Sequence, residues 1–383
     1  MDRIYLDHNA TTPVDPRVLE AMLPALREGF GNASSLHWFG QQARAALDEA
    51  RAQIAGLIGA NPAEIVFTSS GTEADNLAVR GAAGIARPPR RGIVYSAMEH
   101  HAVMNTAKSL GEEGWPVASV RATADGVVDL DDLASKVDDT TALVAVMLAN
   151  NETGVIQPLG EVVRIAHAHG ALVHCDAVQA AGKMKIDVRA LDVDLLALSG
   201  HKIYAPKGVG VLYVKRGTRL RPFVRGGSQE RNRRAGTENI PGIVGMGRAA
   251  AIAREELAAE SARVGALRDR LEARLLAMPG TRRNGDGPRV PNTTNVSFAG
   301  IEAESLLMAL DLAGVAVSTG AACAAGAVEP SHVLRAMGLA MERVQGSVRF
   351  SLGRATGERD VDRAAETVAT AVAKQRALAV TGR

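Results

Sequence analysis

The chain has 383 residues, enough for two domains, and its 44 Lys plus Arg against 42 Asp plus Glu leave a formal net charge of +2. A balance this even, with no long run of one sign, gives no electrostatic case for a nucleic acid or a membrane surface as partner. Its longest apolar stretches are of strand length, too short for a transmembrane helix, and two cysteines, Cys175 and Cys323, are too few for a disulfide framework. The opening Met1 to Pro13 lacks a signal peptide's basic start and apolar stretch, so the expected location is cytoplasmic, with both thiols reduced. Aromatic residues make up only 3% of the chain while Ala and Gly are abundant, which suits close packing of helices on a sheet.

After a short apolar start, Pro16 opens a helix predicted to run to about Glu28, and a loop lies between Gly31 and Gly40. An Ala-rich amphipathic helix is expected over Gln41 to Ile58. Strand signals then recur at Ile65–Thr68, Gly92–Ser96, Val117–Val120, Ala142–Leu148, Ala171–Cys175, Val193–Leu198 and Val209–Val214. Helical patterns between them begin near Thr72, Ala102, Leu130 and Leu159. Alternation with strands apolar along most of their length predicts an α/β fold, a mostly parallel sheet covered on both faces, with ligands at the carboxyl ends of its strands. From about Pro241 the composition shifts to long helical patterns, including Ala249–Met278. A smaller α+β unit follows: strand Thr294–Phe298, helix Glu302–Leu312, strand Val315–Val317, a helix around His332–Met337, strand Ser347–Leu352 and a last helix from Glu358. The connection Ser318 to Pro330 is long and rich in Ala and Gly, a length that inside a compact domain points to function or mobility.

Candidate chemistry gathers at the strand ends. Lys202, in Ser199-Gly-His-Lys202, follows one buried strand and precedes another, where desolvation lowers an ammonium's pKa and makes a better amine nucleophile. Such a lysine either snorkels into water or forms a Schiff base, and the commonest aldehyde partner is pyridoxal phosphate. Asp176 ends another strand, where a carboxylate is either a cap for the next turn or the partner of a pyridine nitrogen, with Gln179 placed for the ring's oxygen. Phe67-Thr-Ser-Ser-Gly-Thr-Glu73 runs from a strand through Gly71 and Thr72 into a helix, whose free N–H groups suit a phosphate, and Ser199 and His201 are further donors. His100 lies just beyond a strand, where it is structural or stacks on a ring and moves protons. Cys323, among Ala and Gly, has little to pack against, which suits a reactive thiolate, whereas Cys175 reads as core. Arg349 either clamps a substrate carboxylate or makes a structural ion pair.

Taken in order, Tyr5–Pro13, Phe67–Asn76, Asn150-Asn-Glu-Thr-Gly154, His174–Gln179, Ser199–Pro206, Arg234-Ala-Gly-Thr237, Ser318–Pro330 and Arg349–Arg354 resemble the cysteine desulfurases of the NifS/IscS type. These belong to the class V branch of the fold-type I pyridoxal-phosphate enzymes, and the resemblance covers essentially the whole chain. It implies a large cofactor-binding domain over residues 15–255 and a small domain, 1–14 with 256–383, that carries the cysteine loop. Lys202 would be the Schiff-base lysine and Asp176 the pyridinium partner. Gln179 and Asn151 would hold the ring oxygen and nearby groups, and His100, directly after Glu99, would stack on the ring. Gly71, Thr72, Ser199 and His201 would bind the phosphate, with Thr237 reaching the neighbouring subunit's cofactor in a homodimer.

The resemblance further assigns Asn32 and Arg349 to the substrate carboxylate and Cys323 to the nucleophile that accepts sulfur from L-cysteine as a persulfide, leaving L-alanine. The acceptor it implies is a protein such as an iron–sulfur scaffold, and no metal site is expected. Ala321, Ala324 and Ala325 depart from the hydroxyl residues common around the family's nucleophile. Rival expectations on the same fold are transamination and selenocysteine lyase activity, and from another class a non-catalytic scaffold.

Overall fold

The structure is a computed structural model that describes residues 3–320, 323–324 and 327–381, with side chains over 3–320 and 329–378. Seven strands lie side by side in the order Ile65–Thr68, Gly210–Val214, Leu195–Ser199, Leu172–Asp176, Thr141–Ala145, Gly92–Ser96 and Val117–Val120. The last five are mutually parallel, and Gly210–Val214 runs antiparallel to both neighbours. Strand residues alternate between two apolar layers, as a pleated backbone requires. Leu195 and Ala197 pack with Leu77 and Ala78 of the helix Gly71–Ala83, whereas Leu196 and Leu198 face the opposite layer with Ile54, Met246 and Ala250. Both faces are thus covered, which is why these strands read as continuous apolar runs.

Local signals set several element ends. Asp15 caps the helix Pro16–Arg27 by accepting from the Arg17 N–H, and Ser70 caps Gly71–Ala83 by accepting from Glu73 N–H. The helix expected from Ala249 in fact runs unbroken from Ile240 to Leu276, with Asn239 as its cap and Pro241 in its first turn. A proline there costs nothing, because the N–H it lacks has no partner inside the helix. This helix joins two cores: Met246, Ala249 and Ala253 belong to that of the large sheet, and Val264, Leu267, Leu271 and Leu275 to a second.

That second core includes Ile4, Leu6, Val296, Phe298, Leu306, Phe350 and Val368. It lies under an antiparallel sheet ordered Ser347–Ser351, Thr293–Phe298, Thr281–Arg283, with helices Ala303–Leu312 and Glu358–Thr381. The strand Thr281–Arg283 has no counterpart in the sequence pattern, since Thr-Arg-Arg shows no apolar alternation. Ile4–Tyr5 pairs in parallel with Val315–Ala316 and brings the residues after it to the edge of the large sheet. Among the described residues no helix is long and apolar enough to cross a membrane.

Candidate active site

At the carboxyl ends of the parallel strands lies a cavity of about 330 Å³, lined by Gly71, Thr72, His100, Asn151, Asp176, Gln179, Ser199, His201, Lys202 and Arg349. These ten expected site residues come from separate stretches of the chain and meet here because a parallel sheet presents its strand ends along one edge. Lys202 closes a 3₁₀ turn, Gly200–Lys202, directly after the strand Leu195–Ser199. Its Nζ donates to the carbonyls of Asn9 and Ala10 at 2.5 and 2.6 Å. Burial first, and then the Arg349 charge, lower its pKa from 10.5 to about 8 against the opposing pull of Asp176 and Asp7.

Asp176 accepts from the Val178 N–H at 2.9 Å, so it caps the next turn and also faces the cavity. On the same side of the sheet, His174 Nε2 meets Asp75 Oδ1 at 3.0 Å, and both side chains are fully enclosed. Burial drives His174 down to about 3, so it is neutral. Asp75, Glu99 and Asp176 are all raised, by burial first; Asp176 raises both of the others, and Glu99 raises Asp75 as well. His100 Nδ1 accepts from the Ala102 N–H at 3.1 Å, which leaves the proton of the neutral ring on Nε2. Burial lowers its pKa while the Asp176 charge opposes.

Several of these ten also bond to other protein groups, and three further expected residues lie elsewhere. Gln179 is already engaged, donating to the Asn9 carbonyl at 2.9 Å and accepting from Lys183 at 2.6 Å. Arg349 donates to Asn151 O at 2.9 Å and Asp7 Oδ1 at 2.7 Å, and its buried Nε has no partner among the described residues. His201 Nδ1 lies 3.1 Å from Thr11 Oγ1. Asn32 and Thr237 are exposed and do not line the cavity; Asn32 instead accepts from the Ser34 N–H. The backbone of Cys323 pairs with Val328 in a two-residue ribbon, while its side chain, together with Ala321 and Ala325, lies outside the described residues.

The class-V aminotransferase family model matches residues 4–364. A cysteine desulfurase of Trichormus azollae is 49% identical over 380 residues, covering 99% of this chain and 95% of that protein. The chain belongs to the cysteine desulfurases of that family. A solved NifS-like protein superposes with a TM-score of 0.91 at 38% identity, covering 99% of this chain and 100% of its own. SspA, solved in complex with cysteine, gives 0.81 at 34% identity over 91% of this chain and 98% of its own.

Cysteine desulfurases of this family generally use pyridoxal phosphate, and the cavity suits that group. A Cβ on Gly71 would stand 3.0 Å from Val178 Cγ2 and 3.2 Å from Ser199 Cβ, so the bare backbone leaves open a cradle at the helix N-terminus, where free N–H groups suit a phosphate. The surplus of buried carboxyls around Asp176 suits a protonated ring nitrogen. Asn9, Asp75, His174 and Glu152 were not singled out by the sequence reasoning. The signal for Asp75 and His174 was present in spacing: one helical turn past Gly71, and two strand positions before Asp176 on the same face.

Proposed function

We propose that this cysteine desulfurase removes sulfur from free L-cysteine with pyridoxal phosphate held at Lys202, releases L-alanine, and receives the sulfur on Cys323. One observation carries the reading: a half-buried lysine of lowered pKa shares a cavity with Asp176 and the N-terminus of the Gly71 helix. Pyridoxal phosphate bound there supplies a sink for the electron pair released at the substrate's α-carbon.

The chain's own residues do the rest. Asp176 holds the ring nitrogen's proton, Gly71, Thr72, Ser199 and His201 hold the phosphate, and Gln179, Asn151 and His100 hold the ring. With a pKa of about 8, the Lys202 amine is partly neutral near that pH and accepts the α-proton, with His100 Nε2–H beside it as a donor. Arg349, with Asn32, orients the substrate carboxylate. The Cys323 thiolate attacks the substrate sulfur, an S–S bond forms as the C–S bond breaks, and the carbon skeleton takes up a proton to leave as alanine. Cysteine and one thiol thus become alanine and one persulfide, with no external oxidant. The persulfide passes to an acceptor protein such as an iron–sulfur scaffold, in the cytoplasm, from a homodimer in which Thr237 completes the neighbour's site.

The test is product analysis with L-cysteine, a thiol reductant and no keto acid. The reading predicts alanine and sulfide in equal amounts from the wild type and none from Lys202→Ala. Turnover that requires a keto acid, or that survives in Lys202→Ala, overturns it.

A further inference from the structure

Among the described residues, those on either side of the Cys323 segment, Gly320 and Ser331, both meet the side chain of Glu152. This residue lies in the turn Asn150–Gly154, whose main chain is tied down on several sides. Glu152 N–H and Thr153 N–H both donate to Asn150 Oδ1, at 2.9 and 3.0 Å, and Asn295 Nδ2 donates to the Glu152 carbonyl at 3.3 Å. The carboxyl is enclosed, with 1% of the residue exposed.

On the near side, Ser318 is paired with Arg349 through two main-chain hydrogen bonds, and Gly320 follows at φ 85°. A Cβ on Gly320 would stand 3.0 Å from Glu152 Cγ and 3.2 Å from Oε2, so the backbone at this point lies directly on the glutamate. On the far side, Ser331 Oγ donates to Glu152 Oε2 at 2.5 Å and accepts from Leu334 N–H at 3.0 Å, which caps the helix His332–Ala336. The Glu152 side chain therefore packs against Gly320, the last residue before the segment, whose N–H donates to Ser318 Oγ, and hydrogen-bonds Ser331, the first after it.

We propose that Glu152 is the common anchor of both stems of the segment 321–330, a positioning residue that fixes where Cys323 is presented to the cavity. The proposal rests on the role proposed for Cys323. Burial raises the Glu152 carboxyl to about 7 against the Ser331 hydrogen bond and the Arg349 charge, so the tie is a short, directed hydrogen bond of a buried carboxyl, and it acts at the base of the segment.

The test is a single-turnover measurement of sulfur arriving on Cys323, by mass analysis after mixing with L-cysteine. It is run on holoenzyme of wild type, Glu152→Ala, Glu152→Gln and Ser331→Ala, with the KM for cysteine and the bound cofactor's absorbance recorded for each. Glu152→Ala is expected to slow sulfur arrival by about ten- to a hundredfold with KM and absorbance unchanged. Glu152→Gln keeps an acceptor oxygen and is expected to restore most of the rate. Ser331→Ala alone lowers the rate, and combined with Glu152→Ala it adds no further loss. Wild-type rates in Glu152→Ala or Ser331→Ala overturn the anchor, as does a loss matched by a rise in KM or a changed spectrum, which would make the residue a support of the pocket. If wild type itself places no sulfur on Cys323, the functional reading falls and the anchor falls with it.

Discussion

At the scale of the residue, the decisive quantity is the proton on Lys202. An amine with an ordinary pKa of 10.5 is almost entirely charged at neutral pH and is a poor nucleophile, whereas burial and the nearby Arg349 bring this one to about 8. Uptake of pyridoxal phosphate by the apoprotein should therefore accelerate with pH through a midpoint near 8, as stopped-flow absorbance would show. A midpoint at 10 or above contradicts the burial of this amine. The same shift has a consequence for stability. Between about pH 8 and 10.5 the unfolded chain still binds the Lys202 proton that the folded apoprotein has lost, so this group makes the apoprotein more stable as pH rises through that window, and Lys202→Met removes that part of the pH dependence.

Single residues also show how much of the site was legible in the sequence. Lys202 and Gly71 follow a buried strand closely and Asp176 ends one, so a local pattern of apolar run and then polar residue exposes them. Glu152 and Asn9 carry no such local mark, and the spacing of Asp75 from Gly71 and of His174 from Asp176 does not show that the two meet. Their importance comes from contacts between segments far apart in the chain, such as Ser331 with Glu152, that no periodicity encodes.

At the scale of the element, the turn Gln229–Asn232 leads toward Arg234 and Thr237. Glu230, Arg231 and Asn232 all have left-handed φ values of 45 to 62°, a conformation that costs side-chain-bearing residues free energy. Glu230 holds the turn by accepting from Arg51 through both carboxylate oxygens, at 2.9 and 2.7 Å, and from Phe67 N–H at 2.8 Å, deep beside the first strand of the sheet. Arg51 is 4% exposed, also donates to the Ile65 carbonyl, stacks over the Phe67 ring and lies 3.9 Å from Asp48 Oδ1. Glu230→Ala would leave that buried guanidinium with only the half-exposed Asp48 at 3.9 Å, so urea denaturation should show a loss of about 3–5 kcal/mol. A loss under about 1 kcal/mol would mean that the pair is dispensable to the turn. The sequence pattern placed the strand before this region, Gly210–Val214, but not the turn, because nothing in Gln-Glu-Arg-Asn marks left-handed backbone. The fold class was readable for the opposite reason: buried parallel strands must be apolar on both faces, and that requirement is written in runs such as Leu195–Leu198.

At the scale of the whole molecule, Phe30, Leu36 and Trp38 are 79, 91 and 64% exposed in a chain whose aromatic residues are few. Phe30 and Trp38 both pack against Phe39, itself exposed, so the apolar surface there is contiguous. The proposed homodimer would cover this surface with a second copy of the chain. Sedimentation should find a dimer for wild type and a monomer that retains cofactor poorly for Leu36→Glu with Trp38→Glu. A wild-type monomer fully loaded with cofactor would contradict this.

The same scale holds the division of labour between the two cores. Residues 15–255 are proposed to hold the cofactor, and 1–14 with 256–383 to bring up Arg349 and Cys323, with the helix Ile240–Leu276 packed into both cores as the rigid link. The whole arrangement has a purpose only if sulfur leaves cysteine for the thiol of residue 323. The most direct measurement is incubation with L-cysteine, followed by intact-mass analysis and a peptide map. The account predicts one added sulfur, located on Cys323 and absent from Cys323→Ser, which still binds cofactor and still changes its absorbance with cysteine. Sulfur found on Cys175, or full desulfuration by Cys323→Ser, would contradict it.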